Sequence, residues 1–261
     1  MGILNVTPNS FSDGGAWFDP ARAIRHGRDL MQEGAHVIDV GGESTRPGIV
    51  RTDSAEELRR VLPVVETLAD EGAVLSVDTM RAEVAHACVA AGVAIVNDVS
   101  GGLADPAMLA TVADLEVPYV VMHWRAHSTH MQNLAHYDDV VTDVRDELAA
   151  RAEAALAAGI SEDRLILDPG IGFAKSGEHN WALLRRLDAL TALGFPLLIG
   201  VSRKRFLGDL LVADGQPRPP QERDDASAAI TAILATQNIW AVRTHSVRQH
   251  LDAVAVAHRL G

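Results

Sequence analysis

Eight short apolar runs in this chain each end on residues that can hydrogen-bond, ionise or do both. The runs are GILN 2–5, HVIDV 36–40, VLSVD 74–78, AIVND 94–98, YVVMH 119–123, LILD 165–168, LLIGVS 197–202 and WAVRTH 240–245. They close on Asn5, Asp39, Asp78, Asn97 with Asp98, His123, Asp168, Ser202 leading into Arg203, Lys204 and Arg205, and Arg243 with His245. One polar residue after a strand is often only a helix cap or a turn former. Eight such ends carrying both signs of charge point instead to a shared site. Asp39 is the weakest member, because GGEST follows it at once and its expected role is to brace that loop.

The cations and the acids suggest complementary halves of one pocket. Arg243 and His245 stand two apart on one run, so their side chains leave the same face of a strand. A guanidinium with an imidazole beside it suits a phosphate, through paired charge-assisted hydrogen bonds. Arg46 lies in GGESTRPG 41–48, where glycines let the backbone approach a ligand, and Lys204 lies in SRKRF. These cations belong to a chain of net charge −12, so their grouping predicts a small anionic ligand, with phosphates the first choice. Asp78, Asn97 and Asp168 could divide recognition of an amidine-like edge, such as the aminopyrimidinone of a guanine or a pterin. The inventory thus implies an anionic tail on a donor-rich heterocycle and leaves nucleotide and pterin both open.

Elements that would bring these residues together follow from periodicity. Leu58, Val61, Leu62, Val65 and Leu68 have helical spacing, as do Leu183, Leu184, Leu187, Leu190 and Leu193. Gly34, Gly72, Gly92, Gly159 and Gly194 fall where such helices should stop, shortly before the next apolar run. Strand, helix, glycine, strand, repeated eight times, predicts a single-domain α/β protein over residues 1–261, a (β/α)8 TIM barrel, whose site forms at the C-terminal strand ends. A doubly wound sheet is the alternative, although no GxGxxG follows the first strand. DGQPRPPQERDD 214–225 reads as a long polar loop.

Bulk properties narrow the function classes. At 261 residues the length matches one barrel, and 48% hydrophobic with 4% aromatic content predicts an aliphatic core. The acidic balance argues against nucleic acid or an anionic membrane as partner. With no apolar run near the eighteen or so residues of a membrane helix and no leader pattern, a cytoplasmic location is expected. Cys88, the only cysteine, precludes an internal disulfide and is expected to be a small buried hydrophobe. His123, His127 and His130 have metal-like spacing, but their expected place is a solvated loop after the fifth strand. Lys175 in GIGFAKS is expected to be a loop lysine, and the absence of GxSxG disfavours an esterase-like triad.

MGILNVTPNSFSDGG, IDVGGESTRPG, SVDTMR, IVNDVSGG, LDPGIGFAK, SRKRF and VRTH resemble, in order and spacing, the signatures of the dihydropteroate synthase family, the sulfonamide targets of folate synthesis. VMHWR and FAKSGEHNW look like the actinobacterial form. The resemblance spans nearly the whole chain. It implies a transferase joining (7,8-dihydropterin-6-yl)methyl diphosphate to 4-aminobenzoate, with Mg²⁺ bridging the diphosphate oxygens and held by Asn5. By the same resemblance Arg46, Arg243 and His245 hold the diphosphate, while Asp78, Asn97, Asp168 and Lys204 bind the pterin, with Met122 against its ring. Asp78, Asp168 and Lys204 are the implied catalytic residues. Thr45, Pro47, Phe173 and Arg205 border the aminobenzoate. A homodimer through the last helices is implied too. Asn9 stands where many relatives have Asp, and the sequence opens directly on the first strand. A methyl-transferring pterin barrel that serves a corrinoid protein fits the acids but has no diphosphate to hold. A silent pterin-binding paralogue is expected to have lost Asn5 or the cations, which are present here.

Overall fold

The computed structural model describes residues 1–7, 19–44, 52–127, 134–237 and 239–260. Asn9, Thr45, Arg46, Pro47 and His130 lie outside the described residues. Eight strands appear among them where the apolar runs predict: β1 (Gly2–Asn5), β2 (Ile38–Gly41), β3 (Leu75–Asp78), β4 (Ile95–Asp98), β5 (Tyr119–Met122), β6 (Leu165–Asp168), β7 (Leu198–Ile199) and β8 (Ala241–Val242). The helices between and after them are α1 (Pro20–Gln32), α2 (Ser54–Asp70), α3 (Ala82–Ala90), α4 (Met108–Leu115), α5 (Val140–Ala157), α6 (Gly177–Arg185), α7 (Asp188–Thr191), α8 (Arg205–Leu210), α9 (Asp224–Leu234) and α10 (Val247–Leu260).

Strands β1 to β6 pair in sequence order and in parallel, and β7 pairs with β8. Two parallel bridges join these parts into a closed barrel: Leu167 with Leu197, and Gly2 with Thr244. Backbone bonds from Ile3 N to Thr244 O and from Thr244 N to Met1 O, each 2.9 Å, seal the seam between first and last strand. That seam excludes the doubly wound alternative, whose sheet keeps two free edges. The last two strands are shorter than their apolar runs. Pairing persists outside the regular ladder through Trp240 N to Leu197 O at 2.9 Å and Arg243 N to Ile199 O at 3.0 Å.

Alternation along each strand separates core from site. Leu4, Ile38, Val40, Leu75, Val77, Val96, Tyr119, Val121, Leu165 and Leu167 face outward into the layer shared with the helices. Ile95, Val120, Ile166 and Leu198 face inward and, with Met1, Val37 and Ala241, plug the barrel. Two residues further along, the same faces carry Asp39, Asn97, Met122, Asp168, Gly200 and Arg243. The apolar plug therefore forms the floor on which a polar layer stands. Gly34, Gly72, Gly92, Gly159 and Gly194 all take left-handed φ, as helix stops do.

Two expectations are corrected. The leucine-spaced stretch 183–193 is two helices, because Arg186 leaves helical geometry (φ −126°, ψ 44°) between α6 and α7; Leu183, Leu187 and Leu190 are nonetheless buried. The polar stretch 214–225 ends in a 3-10 turn, Pro220–Arg223, that leads into α9, and its Arg223 is buried as a donor to Arg218 O and Arg203 O.

Candidate active site

A cavity of about 640 Å³ opens at the C-terminal mouth of the barrel, above the apolar plug. The structure brings Asn5, Asp78, Asn97, Met122, Asp168, Phe173, Lys204, Arg205, Arg243 and His245 to its wall. At its centre lies a buried charge network. Arg243 donates from Nε to Asp39 Oδ2 at 2.6 Å and from Nη2 to Asp78 Oδ2 at 2.8 Å. Asn97 Nδ2 donates to the same Asp39 oxygen at 3.0 Å. Asp39 is thus not the loop brace its GGEST neighbour suggested. It is wholly buried inside the barrel, where it neutralises and aims the strand-end arginine. Asp98, beside Asn97, faces outward and accepts from Ser100, Gly102 N and, at 2.7 Å, the Tyr119 hydroxyl, so it anchors a loop.

Burial dominates the electrostatics. It pushes the Asp78 carboxyl up to about 7 against the pull of Arg243, and it raises Asp168 against the pull of Lys204. It also lowers the Lys204 ammonium to about 8, with Asp168 opposing. Asp78 and Lys204 are thus brought close to neutrality, while Asp168 is shifted in the same direction as Asp78. His245 is held neutral by burial, well below its usual value. Ser202 Oγ accepts from His245 N at 3.2 Å and from Thr244 Oγ1 at 3.5 Å, and with both lone pairs so used its own O–H points to His245 Nδ1, 2.9 Å away, the arrangement that leaves Nε2–H as the ring's donor.

Local chemistry explains how SRKRF delivers only one of its cations deep into the site. Arg203, in the left-handed region at φ 59°, turns to a two-point bond with Asp224 at the start of α9. Lys204 then points inward, donating to Ile171 O with its Nζ 4.8 Å from the Phe173 ring centre. Arg205 stays exposed at the rim, 3.6 Å from Asp209. Behind β3, Arg81 binds Glu43, buried Glu57 and Thr52 O, which ties the chain on either side of residues 45–51.

Sequence reasoning missed the side chains behind this wall. His123 is buried rather than solvated, and burial lowers it to about 4. Lys175 is buried beside it and also lines the cavity. Their common signal was GIGFAK, a loop whose Gly170, Gly172 and Ala174 all take positive φ. At Gly170 a Cβ would sit 2.5 Å from His123 O, and at Gly172 one would sit 2.8 Å from Lys204 Cδ. Only glycine lets this loop lie flat between the two lysines.

For a divalent cation, Asn5 offers a hard carbonyl oxygen at the mouth, in register across Gly41 with Asp78. Among the described residues no group of three His, Cys, Asp or Glu side chains could hold a metal alone. A single protein oxygen fits Mg²⁺, which keeps several waters and shares its remaining positions with substrate phosphates.

Comparison with known proteins agrees with this geometry. The family described as "Pterin binding enzyme" matches residues 1–245. Dihydropteroate synthase of Mycobacterium leprae is 54% identical over 258 residues, covering 98% of this chain and 91% of that protein. The dihydropteroate synthase of Yersinia pestis, solved with a sulfonamide drug complex, superposes with a TM-score of 0.94 at 40% identity, covering 100% of this chain and 93% of that one. That of Xanthomonas albilineans in complex with 7,8-dihydropteroate gives a TM-score of 0.87 at 42% identity, covering 100% and 92%. On likeness of this extent, the chain belongs to the pterin-binding enzyme family, among its dihydropteroate synthases.

Proposed function

We propose that this chain condenses (7,8-dihydropterin-6-yl)methyl diphosphate with 4-aminobenzoate, giving 7,8-dihydropteroate and diphosphate. What carries the reading is the pairing, in one cavity, of half-buried Asp78 and buried Asn97 and Asp168 with Lys204, Arg243 and His245. The first set offers acceptors to the aminopyrimidinone edge of a pterin. Of the second, Arg243 and His245 take up the charge of a diphosphate, while Lys204 stands with the acids at the pterin.

The mouth of the cavity binds the leaving group. Arg243, held in place by Asp39 and Asp78, supplies a fixed guanidinium, and neutral His245 supplies an Nε2–H that Ser202 has oriented. By the family resemblance, Arg46 is assigned to the diphosphate and Thr45 and Pro47 to the aminobenzoate, all three outside the described residues. When bound, Mg²⁺ would neutralise diphosphate charge, and Asn5 is the residue that would hold it. With Arg243 and His245 on the diphosphate, the bond from the pterin methylene carbon to the diphosphate oxygen breaks and its electron pair leaves on oxygen. The methylene cation that remains is delocalised into the pterin. Half-buried Asp78 and buried Asp168 stabilise it where water is scarce, and Met122 packs on the ring. The amine of 4-aminobenzoate, bordered by Phe173 and Arg205, forms the new C–N bond. Its surplus proton passes to solvent or to diphosphate. No strong base is needed, because an aromatic amine is neutral at pH 7.

We infer that the active chain is one domain and works as a homodimer. Ile233 on α9 with Val256 and Leu260 on α10 form an exposed apolar strip suited to a second copy. A cytoplasmic location accords with a lone buried Cys88 and with the lack of any helix long and apolar enough to cross a membrane among the described residues. Diphosphate release, measured with and without 4-aminobenzoate and Mg²⁺, tests the reading. Release that depends on both supports it, and none with the complete mixture rejects it.

A further inference from the structure

In the loop between β6 and α6, side chains bond the backbone carbonyls of Gly170, Ile171, Phe173 and Ala174, and Gly170 O also accepts from Phe173 N at 3.0 Å. Lys175 Nζ donates to Gly170 O at 3.1 Å and to Phe173 O at 3.1 Å. Its third bond goes to His123 Nδ1 at 2.9 Å. Lys204 donates to Ile171 O from the cavity side, and the Tyr137 hydroxyl donates to Ala174 O at 3.0 Å. An ammonium has three N–H donors, and all three of those on Lys175 are used. Since His123 Nδ1 accepts, its Nε2–H donates to Glu147 Oε2 at 2.8 Å, and Glu147 is fixed in turn by Arg125. The guanidinium of Arg125 lies over the Tyr137 ring, 3.9 Å from its centre. A relay of Arg125, Glu147, His123 and Lys175 thus runs from α5 and the end of β5 to the back of the loop that carries Phe173.

We propose that Lys175 is a positioning residue for the aromatic-amine subsite, which it serves by fixing the β6–α6 loop from behind while His123 and Glu147 fix Lys175. The inference rests on the transfer reaction proposed above. It says that one face of the amine subsite is set by a group outside it. Removing the ammonium frees Phe173 O and leaves Gly170 O only its bond from Phe173 N, in a loop with three residues at positive φ. Phe173 and the Ile171 carbonyl under Lys204 then lose their fixed place, whereas Asp78 and Asn97 keep their bonds to Arg243 and Asp39, and Asp168 keeps its bond from Gly170 N at the start of the loop.

The test compares Lys175→Met, His123→Leu and His123→Asn in the full chain. The Asn side chain can still offer an oxygen near the Nδ1 position, so it keeps the acceptor for Lys175 while losing the bond to Glu147. Lys175→Met and His123→Leu are expected to raise the KM for 4-aminobenzoate on the order of ten-fold and to lower kcat by up to about a hundred-fold, since small misplacements near chemistry have such costs. Binding of the pterin diphosphate by calorimetry should change less than about three-fold. His123→Asn should recover most of the acceptor KM. Hydrogen exchange in the peptide 169–176 should speed up in Lys175→Met alone of the site's loops, a readout that needs no turnover. If the wild-type chain makes no product but exchange in that loop responds, the reaction proposal fails and the positioning role survives. Unchanged loop exchange with an unchanged acceptor KM overturns the positioning role, as does equal weakening of both substrates.

Discussion

Replacing Arg243 with Met isolates the buried charge network. Asp39 is wholly buried and takes a 2.6 Å bond from this guanidinium, while Asp78 takes another at 2.8 Å. Removing the cation leaves two acids facing each other inside the barrel. Breaking a buried pair from one side costs about 3–5 kcal/mol, because the remaining charge stays desolvated. For a chain of this size each kcal/mol shifts Tm by roughly 2–4 °C, so the variant should melt about 6–20 °C lower. The deficit has a sign in pH. Burial already pushes Asp78 up to about 7, and the substitution removes the group that pulls it down. Its folded form then binds protons that the unfolded chain does not, so the deficit grows as pH rises and shrinks on acidification. The double variant Arg243→Met/Asp39→Asn should recover at least half of the lost stability, because one orphaned charge is gone, yet remain inactive. Thermal melts at pH 5 and pH 8, with diphosphate release on the same samples, check both halves. A single variant as stable as wild type at pH 8 would refute the reasoning, and so would a double variant that regained activity.

Other perturbations separate binding from folding. Asp78→Ala and Lys204→Ala should abolish turnover while purified protein keeps its circular dichroism; near-wild-type rates in either variant reject their assigned roles. Gly170→Ala should cost more than about 1 kcal/mol, because it combines a left-handed backbone with a Cβ placed 2.5 Å from His123 O, and urea unfolding measures it. Burial lowers His123 from 6.5 to about 4, so the unfolded chain binds the extra proton between those values. Stability should therefore fall as pH drops through that window, by at most a few kcal/mol, and His123→Asn should flatten the fall; an unchanged slope contradicts the buried neutral ring.

The fold was legible because each barrel unit repeats one rhythm, and the site because a parallel barrel must place its polar strand ends at a single mouth. Asn97 and Asp98 show the resolution of that reading. Both end β4, and only the two-residue alternation assigns Asn97 to the cavity and Asp98 to a loop anchor. What escaped was pairing across the barrel. Asp39 and Arg243 are 204 residues apart, and no local pattern tells that an acid inside β2 meets a guanidinium on the last strand. Lys175 escaped for a related reason: a lysine after glycines reads as solvated unless its partners His123 and Glu147 are known to lie behind the loop. Thr45 and Pro47 were assigned by resemblance alone, whereas Arg46 was also singled out as a cation in the glycine-flanked GGESTRPG.

The central claim is transfer of a pterinylmethyl group with cleavage of its carbon–oxygen bond. It is tested most directly by supplying the pterin diphosphate labelled with ¹⁸O at the bridging oxygen, together with 4-aminobenzoate and Mg²⁺, and following both products by mass spectrometry. The account predicts 7,8-dihydropteroate in equal amount to diphosphate, with all of the label in the diphosphate. Label retained on a hydroxymethylpterin, or diphosphate released without dihydropteroate, would contradict it.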